Sequence, residues 1–96
     1  MEAEMGVVAD QIRRKLTGAL EPVRLDIEDE SHHHAGHAGH SSDGESHFRV
    51  EIVSVMFAGK SRVQRQRLVY EILREEMATR VHALSLATYT PEETTG

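Results

Sequence analysis

The apolar residues of this chain switch between a helical and a strand period along its length, and that succession limits the folds open to it. Met5, Val8, Ile12, Leu16 and Leu20 recur every three or four positions, with Asp10, Arg13, Arg14 and Thr17 between them, which predicts an amphipathic helix ended by Pro22. Val23, Leu25 and Ile27 then alternate with Arg24, Asp26 and Glu28, the period of a strand with one buried face. Phe48, Val50 and Ile52 alternate with Arg49 and Glu51 and predict a second strand that runs into Val53, Ser54, Val55 and Met56. Beyond a turn from Phe57 to Ser61, Leu68, Val69, Ile72, Leu73 and Met77 restore the helical period to about Thr79. Val81, Leu84, Leu86 and Thr88 supply a third strand, closed by Thr90 and Pro91. The order helix, strand, strand, helix, strand predicts an α+β layer, with the helices on one face of a three-stranded mixed sheet. A helical crossover between the last two strands makes them parallel and the connection right-handed.

Ninety-six residues suffice for one domain with a single modest core, read here as residues 1–91 followed by a polar tail over 92–96. The chain has no cysteine, so it forms no disulfide and brings no thiolate to a metal. A net charge of −5, from 16 acidic and 11 basic residues, argues against a surface devoted as a whole to nucleic acid and leaves room for a local basic patch. No apolar run approaches membrane-spanning length, and the first residues lack both an apolar signal core and an arginine-rich transit pattern. The expectation is no membrane partner and a cytoplasmic location.

Six of the seven histidines fall between His32 and His47, and the seventh is His82. Residues 29–46 are otherwise rich in Gly, Ser and Asp and show no hydrophobic period, so they form a long loop between the first two strands. Loops of that length in a small domain are usually functional or mobile. Imidazole is the commonest metal ligand and titrates near neutral pH, which invites a metal or proton role. Composition alone equally fits a solvated loop that binds metals adventitiously. His82, between Val81 and Ala83, reads on its own as an ordinary strand-end histidine.

The segments Ser46-His-Phe-Arg-Val-Glu-Ile-Val-Ser54, Phe57-Ala-Gly59, Arg65-Gln-Arg-Leu-Val-Tyr70 and Val81-His-Ala-Leu84 resemble, in that order and at those separations, the BolA family. The resemblance runs from the first helix to Pro91. It implies a fold similar to the class II KH domain, which matches the element order read above. It further implies a non-catalytic adaptor that associates with a monothiol glutaredoxin and shares with it a glutathione-supported [2Fe-2S] cluster, for iron–sulfur trafficking, maturation or iron regulation. The isolated chain is expected to bind no cluster and to be a monomer or weak homodimer, in the cytoplasm or, in a eukaryote, the mitochondrial matrix.

By that resemblance His82 matches a cluster ligand at the start of the last strand, and His34 stands where the histidine-loop branch of the family carries its loop ligand, just after Asp29-Glu30-Ser31. His32, His33 and His37 are near enough to substitute, and His47 matches a histidine frequent at the start of the second strand. His37 and His40 also read as spectators, because their three-residue spacing in a glycine-bearing loop has no fixed geometry. The family's usual Arg-His-Arg is Arg65-Gln66-Arg67 here, and a Gln amide neither titrates nor ligates metals well. Two histidines on one iron with thiolates on the other is a known ligand set for such clusters, so a chain without cysteine suits a bridging site completed by its partner. Protonation of a ligating imidazole loosens its bond, so a mixed site releases its cluster in acid more readily than a cysteine-only one.

Lys60, Arg62, Arg65 and Arg67 make the only strongly basic stretch, and they support a rival reading as a KH-like, DNA-binding transcriptional regulator. A KH domain grips the nucleic-acid backbone through Gly-x-x-Gly; here the turn is Gly59-Lys60-Ser61-Arg62, with arginine for the second glycine. The same four residues equally describe a solvated helix face, or one that meets an acidic partner. An enzyme is the weakest class: Glu75 and Glu76 are read as surface acids, and no nucleophile motif or phosphate loop is present.

Overall fold

The computed structural model describes residues 6–30 and 46–95. In chain order they form α1 (Val7–Leu20), β1 (Arg24–Asp29), β2 (His47–Val53), a 3-10 turn (Val55–Phe57), α2 (Arg62–Ile72), α3 (Arg74–Thr79), β3 (Ala83–Tyr89) and α4 (Pro91–Thr95). β2 is central, antiparallel to β1 and parallel to β3, which is the mixed three-stranded sheet the periods predict.

The stripe of α1 and the inward row of β2 account for most of the core. Val8, Ile12, Leu16 and Leu20 are buried against Phe48, Val50 and Ile52, and Phe57, Val69, Leu73 and Val81 close the cluster. Leu25 and Ile27 of β1 and Leu84 and Leu86 of β3 flank it at its margin. The opposite sheet face exposes Arg24, Asp26, Glu28, Arg49 and Ser85. Charged side chains on the edge strand β1 discourage pairing with another chain. On the other edge, Tyr70 Oη donates to the Leu84 carbonyl at 3.5 Å and Arg65 Nη1 to the Thr88 carbonyl at 3.1 Å, so α2 covers part of β3.

The structure departs from the sequence reading in several places. Val23 is 69% exposed, because the strand begins one residue later and Val23 lies on the turn leading into it. The second helix breaks at Leu73, with φ −100° and ψ 22°, although neither Pro nor Gly marks the place. Past the break Glu76 turns inward: its side chain is 5% exposed and both carboxylate oxygens bond Lys15 of α1, at 3.0 and 2.9 Å. Glu76 is therefore not the surface acid expected, whereas Glu75 is. A buried carboxylate needs such a partner, since an uncompensated charge in the interior is strongly destabilising. The residues read as a polar tail include the short helix α4, built on a capping box: the Thr90 amide donates to Glu93 Oε1 and the Glu93 amide to Thr90 Oγ1.

Among the described residues, two backbone positions use the left-handed region. Gly59, at φ 79°, turns the chain from the 3-10 segment into α2, where side-chain-bearing residues are strained. Glu21 ends α1 at φ 45°, a place usually given to glycine, and its amide reaches the Thr17 carbonyl at 3.0 Å.

Candidate functional site

The register brings two histidines to one end of the sheet. His47 opens β2 opposite Ala83, and His82 immediately precedes β3, so parallel pairing sets them side by side. The rings stack with centroids 6.3 Å apart and planes inclined by 21°. The Ser46 carbonyl accepts from the His82 amide at 2.7 Å and from the Ala83 amide at 3.2 Å, which pins the backbone at the start of β3. Ser46 Oγ lies 2.9 Å from His47 Nδ1, so its hydroxyl orients that ring. His82 is exposed, and its ring makes no hydrogen bond to a described residue, while His47 is half-buried.

The two feet of the histidine loop emerge at this same end. Asp29, the last residue of β1, pairs with Phe48, the neighbour of His47. His32, His33, His34, His37 and His40 lie outside the described residues. Among the described residues no group of three or more His, Cys, Asp or Glu side chains is placed to hold a metal ion. The described residues thus supply two adjacent imidazoles and no thiolate. Such a donor set fits half of a mixed histidine–thiolate cluster site and requires sulfur from elsewhere.

The basic residues divide. Lys60, Arg62 and Arg67 are exposed and form no ion pair with a described residue. Arg65 is different: its side chain is 11% exposed, its Nη1 and Nη2 grip the Glu93 carboxylate at 2.8 and 3.1 Å, and its Nε donates to the Lys60 carbonyl at 3.0 Å. The guanidinium also lies 5.7 Å from the Phe57 ring centroid. The Arg65 fork, together with the Thr90 amide, holds the Glu93 carboxyl down at about 2. Ser61 caps α2 in a reciprocal box: the Gln64 amide donates to Ser61 Oγ at 3.1 Å and the Ser61 amide to Gln64 Oε1 at 2.8 Å, so these two amides are not open to a phosphate.

Sequence reasoning gave no role to Ser46, Thr90 and Glu93, and read Glu76 as a surface acid. For Thr90 and Glu93 a signal was present, since Thr90-Pro91-Glu92-Glu93 is a capping-box pattern with proline at the first helical position. Nothing local in the sequence announces the Lys15 contact of Glu76, because it depends on the approach of α1 to α3.

No helix among the described residues is long and apolar enough to cross a membrane. The chain is 54% identical over 87 residues to "Protein BOLA1, chloroplastic" of Arabidopsis thaliana, covering 88% of this chain and 54% of that protein. A second Arabidopsis relative, "SufE-like protein 1, chloroplastic/mitochondrial", is 48% identical over 87 residues, 86% of this chain and 24% of its own length. The chain therefore spans about half or less of these two plant relatives. The "DNA-binding transcriptional regulator BolA" of Escherichia coli is 43% identical over 90 residues, with 94% of this chain and 82% of that protein covered. Among solved structures, the BolA domain of SufE1 from Arabidopsis thaliana superposes with a TM-score of 0.83 at 47% identity, over 94% of this chain and 99% of that one. A family model described as BolA-like protein matches residues 16–93. With the helix–strand–strand–helix–strand order, the mixed sheet and these matches, the chain belongs to the BolA family.

Proposed function

We propose that this protein is a non-catalytic adaptor that binds a monothiol glutaredoxin and co-ligates a glutathione-supported [2Fe-2S] cluster, in iron–sulfur trafficking, maturation or iron regulation. The observation that carries the reading is the exposed His82, stacked on His47 at the sheet end where the histidine loop begins and ends. His82 is the ligand from the sheet, His34 the ligand from the loop, and His32, His33, His37 and His47 are the substitutes. His47 and Ser46 orient the ring and backbone at the start of β3, so little rearrangement is needed when a partner arrives. The cluster itself would supply one-electron chemistry and a transferable iron–sulfur unit. Because the chain has no cysteine, its partner must provide the sulfur ligands, and alone the chain is a monomer or weak homodimer without a cluster. The cytoplasm is the working compartment in this reading, or an organelle interior such as the mitochondrial matrix; the plant relatives' names mention chloroplasts and mitochondria.

Anaerobic reconstitution with a monothiol glutaredoxin, glutathione, iron and sulfide tests it, followed by visible absorption and circular dichroism. The wild-type chain should change the spectrum of the glutaredoxin cluster, and His82→Ala should abolish the change while His34→Ala weakens it. Identical spectra with and without the chain would contradict the proposal.

A second reading, as a DNA-binding regulator, is favoured by one observation: Lys60, Arg62 and Arg67 are exposed cations without an ion-pair partner among the described residues, on a chain 43% identical to the Escherichia coli regulator. Salt separates the two, because phosphate contacts weaken steeply with ionic strength through counterion release and cluster ligation does not.

A further inference from the structure

Arg65 is held from two sides that differ in kind. From within the fold, the carbonyls of Lys60 and Thr88 accept from Nε and Nη1 at 3.0 and 3.1 Å, and Phe57 lies beside the guanidinium. From the solvent side, the 45% exposed Glu93 closes a two-pronged pair on Nη1 and Nη2 and takes a third bond, 2.8 Å, from the Thr90 amide. Removing Glu93 leaves the inner contacts in place, so the guanidinium fork stays aimed where the carboxylate was. A planar fork joined by a backbone amide matches the oxygens of a carboxylate or a phosphate. Exposed Lys60 and Arg62 nearby in the chain favour the more highly charged phosphate.

We propose that Arg65 and the Thr90 amide form an oxyanion site for a phosphate group, closed in cis by Glu93, so that the C-terminal turn decides whether the basic start of α2 presents two neighbouring cations or three. The site shares no residue with the histidine end and goes beyond the cluster reading. The phosphate can be free or part of a nucleic-acid backbone, and the test has an arm for each source.

The full-length chain, labelled with nitrogen-15, is compared as wild type, Glu93→Ala, Glu93→Gln and Arg65→Gln/Glu93→Ala. Inorganic phosphate is titrated while the Arg65 Nε–Hε and Thr90 amide resonances are followed. The wild type should scarcely respond, Glu93→Ala should show saturable shifts at both resonances, and the double variant, in which the Thr90 amide alone remains to be followed, should show none. Glu93→Gln removes the competing charge but keeps an acceptor for the Thr90 amide, so it should give weaker shifts at the Arg65 Nε–Hε resonance, and it secures the comparison if the alanine loosens α4. In the second arm, a short DNA duplex is bound across a salt series. There Glu93→Ala should steepen the dependence of log affinity on log salt by about 0.9 for one added phosphate contact. Saturable shifts with an unchanged salt slope support the site with free phosphate as its ligand, and a steeper slope supports the nucleic-acid backbone. Silence of both folded Glu93 variants up to tens of millimolar phosphate, or shifts that survive the loss of Arg65, would overturn the proposal.

Discussion

The two ends of the central strand are built on opposite plans. At the end where β2 finishes, Ser54 Oγ bonds the Leu20 carbonyl at 2.7 Å, the Ser54 amide bonds the Tyr89 carbonyl, and Arg65, Thr90 and Glu93 tie the 3-10 turn, β3 and α4 together. Polar groups there are consumed in holding the chain. At the end where β2 begins, backbone bonds from Ser46 fix the strand starts, yet the His82 side chain is exposed and has no hydrogen bond to a described residue. The difference sets what each end loses first: substitutions among the buried groups of the first end should cost folding energy, while loss of the exposed His82 ring at the second should cost only what the protein binds.

The strongest test of that difference pairs Phe57 with His82. Phe57→Ala removes a fully buried ring beneath Arg65 and should destabilise the fold by about 3–5 kcal/mol, whereas His82→Ala should stay within about 0.5 kcal/mol of wild type by urea denaturation. Comparable losses at both positions would break the comparison. A smaller effect is expected at Gly59. Beyond its chain neighbours no described atom lies within 4 Å of an added Cβ, so Gly59→Ala should cost only the backbone strain of a positive φ, about 1–2 kcal/mol.

The weakest expected effect depends on pH. The Glu93 carboxyl is lowered to about 2, by the Arg65 fork first and the Thr90 amide second. Its unfolded value is near the ordinary carboxylate value of about 4.3. A depressed folded value means that the contact contributes fully above the unfolded pKa and is lost as pH falls through about 2. Urea denaturation of wild type against Glu93→Gln should give stabilities that converge between those two values. Nitrogen-15 resonances of α4 in the folded protein should move as pH falls through about 2.

The main architecture was legible because each element announces its own burial. The α1 stripe from Val8 to Leu20 and the alternation of Phe48, Val50 and Ile52 reappear as the core, and the mixed sheet follows from a helical connection between its last two strands. Single positions at element ends were less legible. Val23 keeps the alternation of β1 but falls outside it, and no local breaker marks Leu73, beyond which Glu75 and Glu76 reach Lys15 of α1. Arg65 was legible as a cation and not as a buried one, because the carboxylate that neutralises it is 28 residues away. At the histidine end, His82 could be singled out only through the family resemblance, since an isolated strand-end histidine has a bland reading of its own. His47 gained its adjacency to His82 from the parallel register, which no spacing along the chain displays.

The central claim is that an imidazole of this chain binds iron in the heterodimer. Pulsed electron paramagnetic resonance of the reduced cluster, assembled with glutaredoxin and glutathione, tests it most directly through the hyperfine coupling of directly bound nitrogen. The wild-type heterodimer should show strong imidazole nitrogen couplings, one set of which disappears in His82→Ala while the fold remains intact. Couplings that are absent from the wild type, or unchanged in His82→Ala, would contradict the assignment.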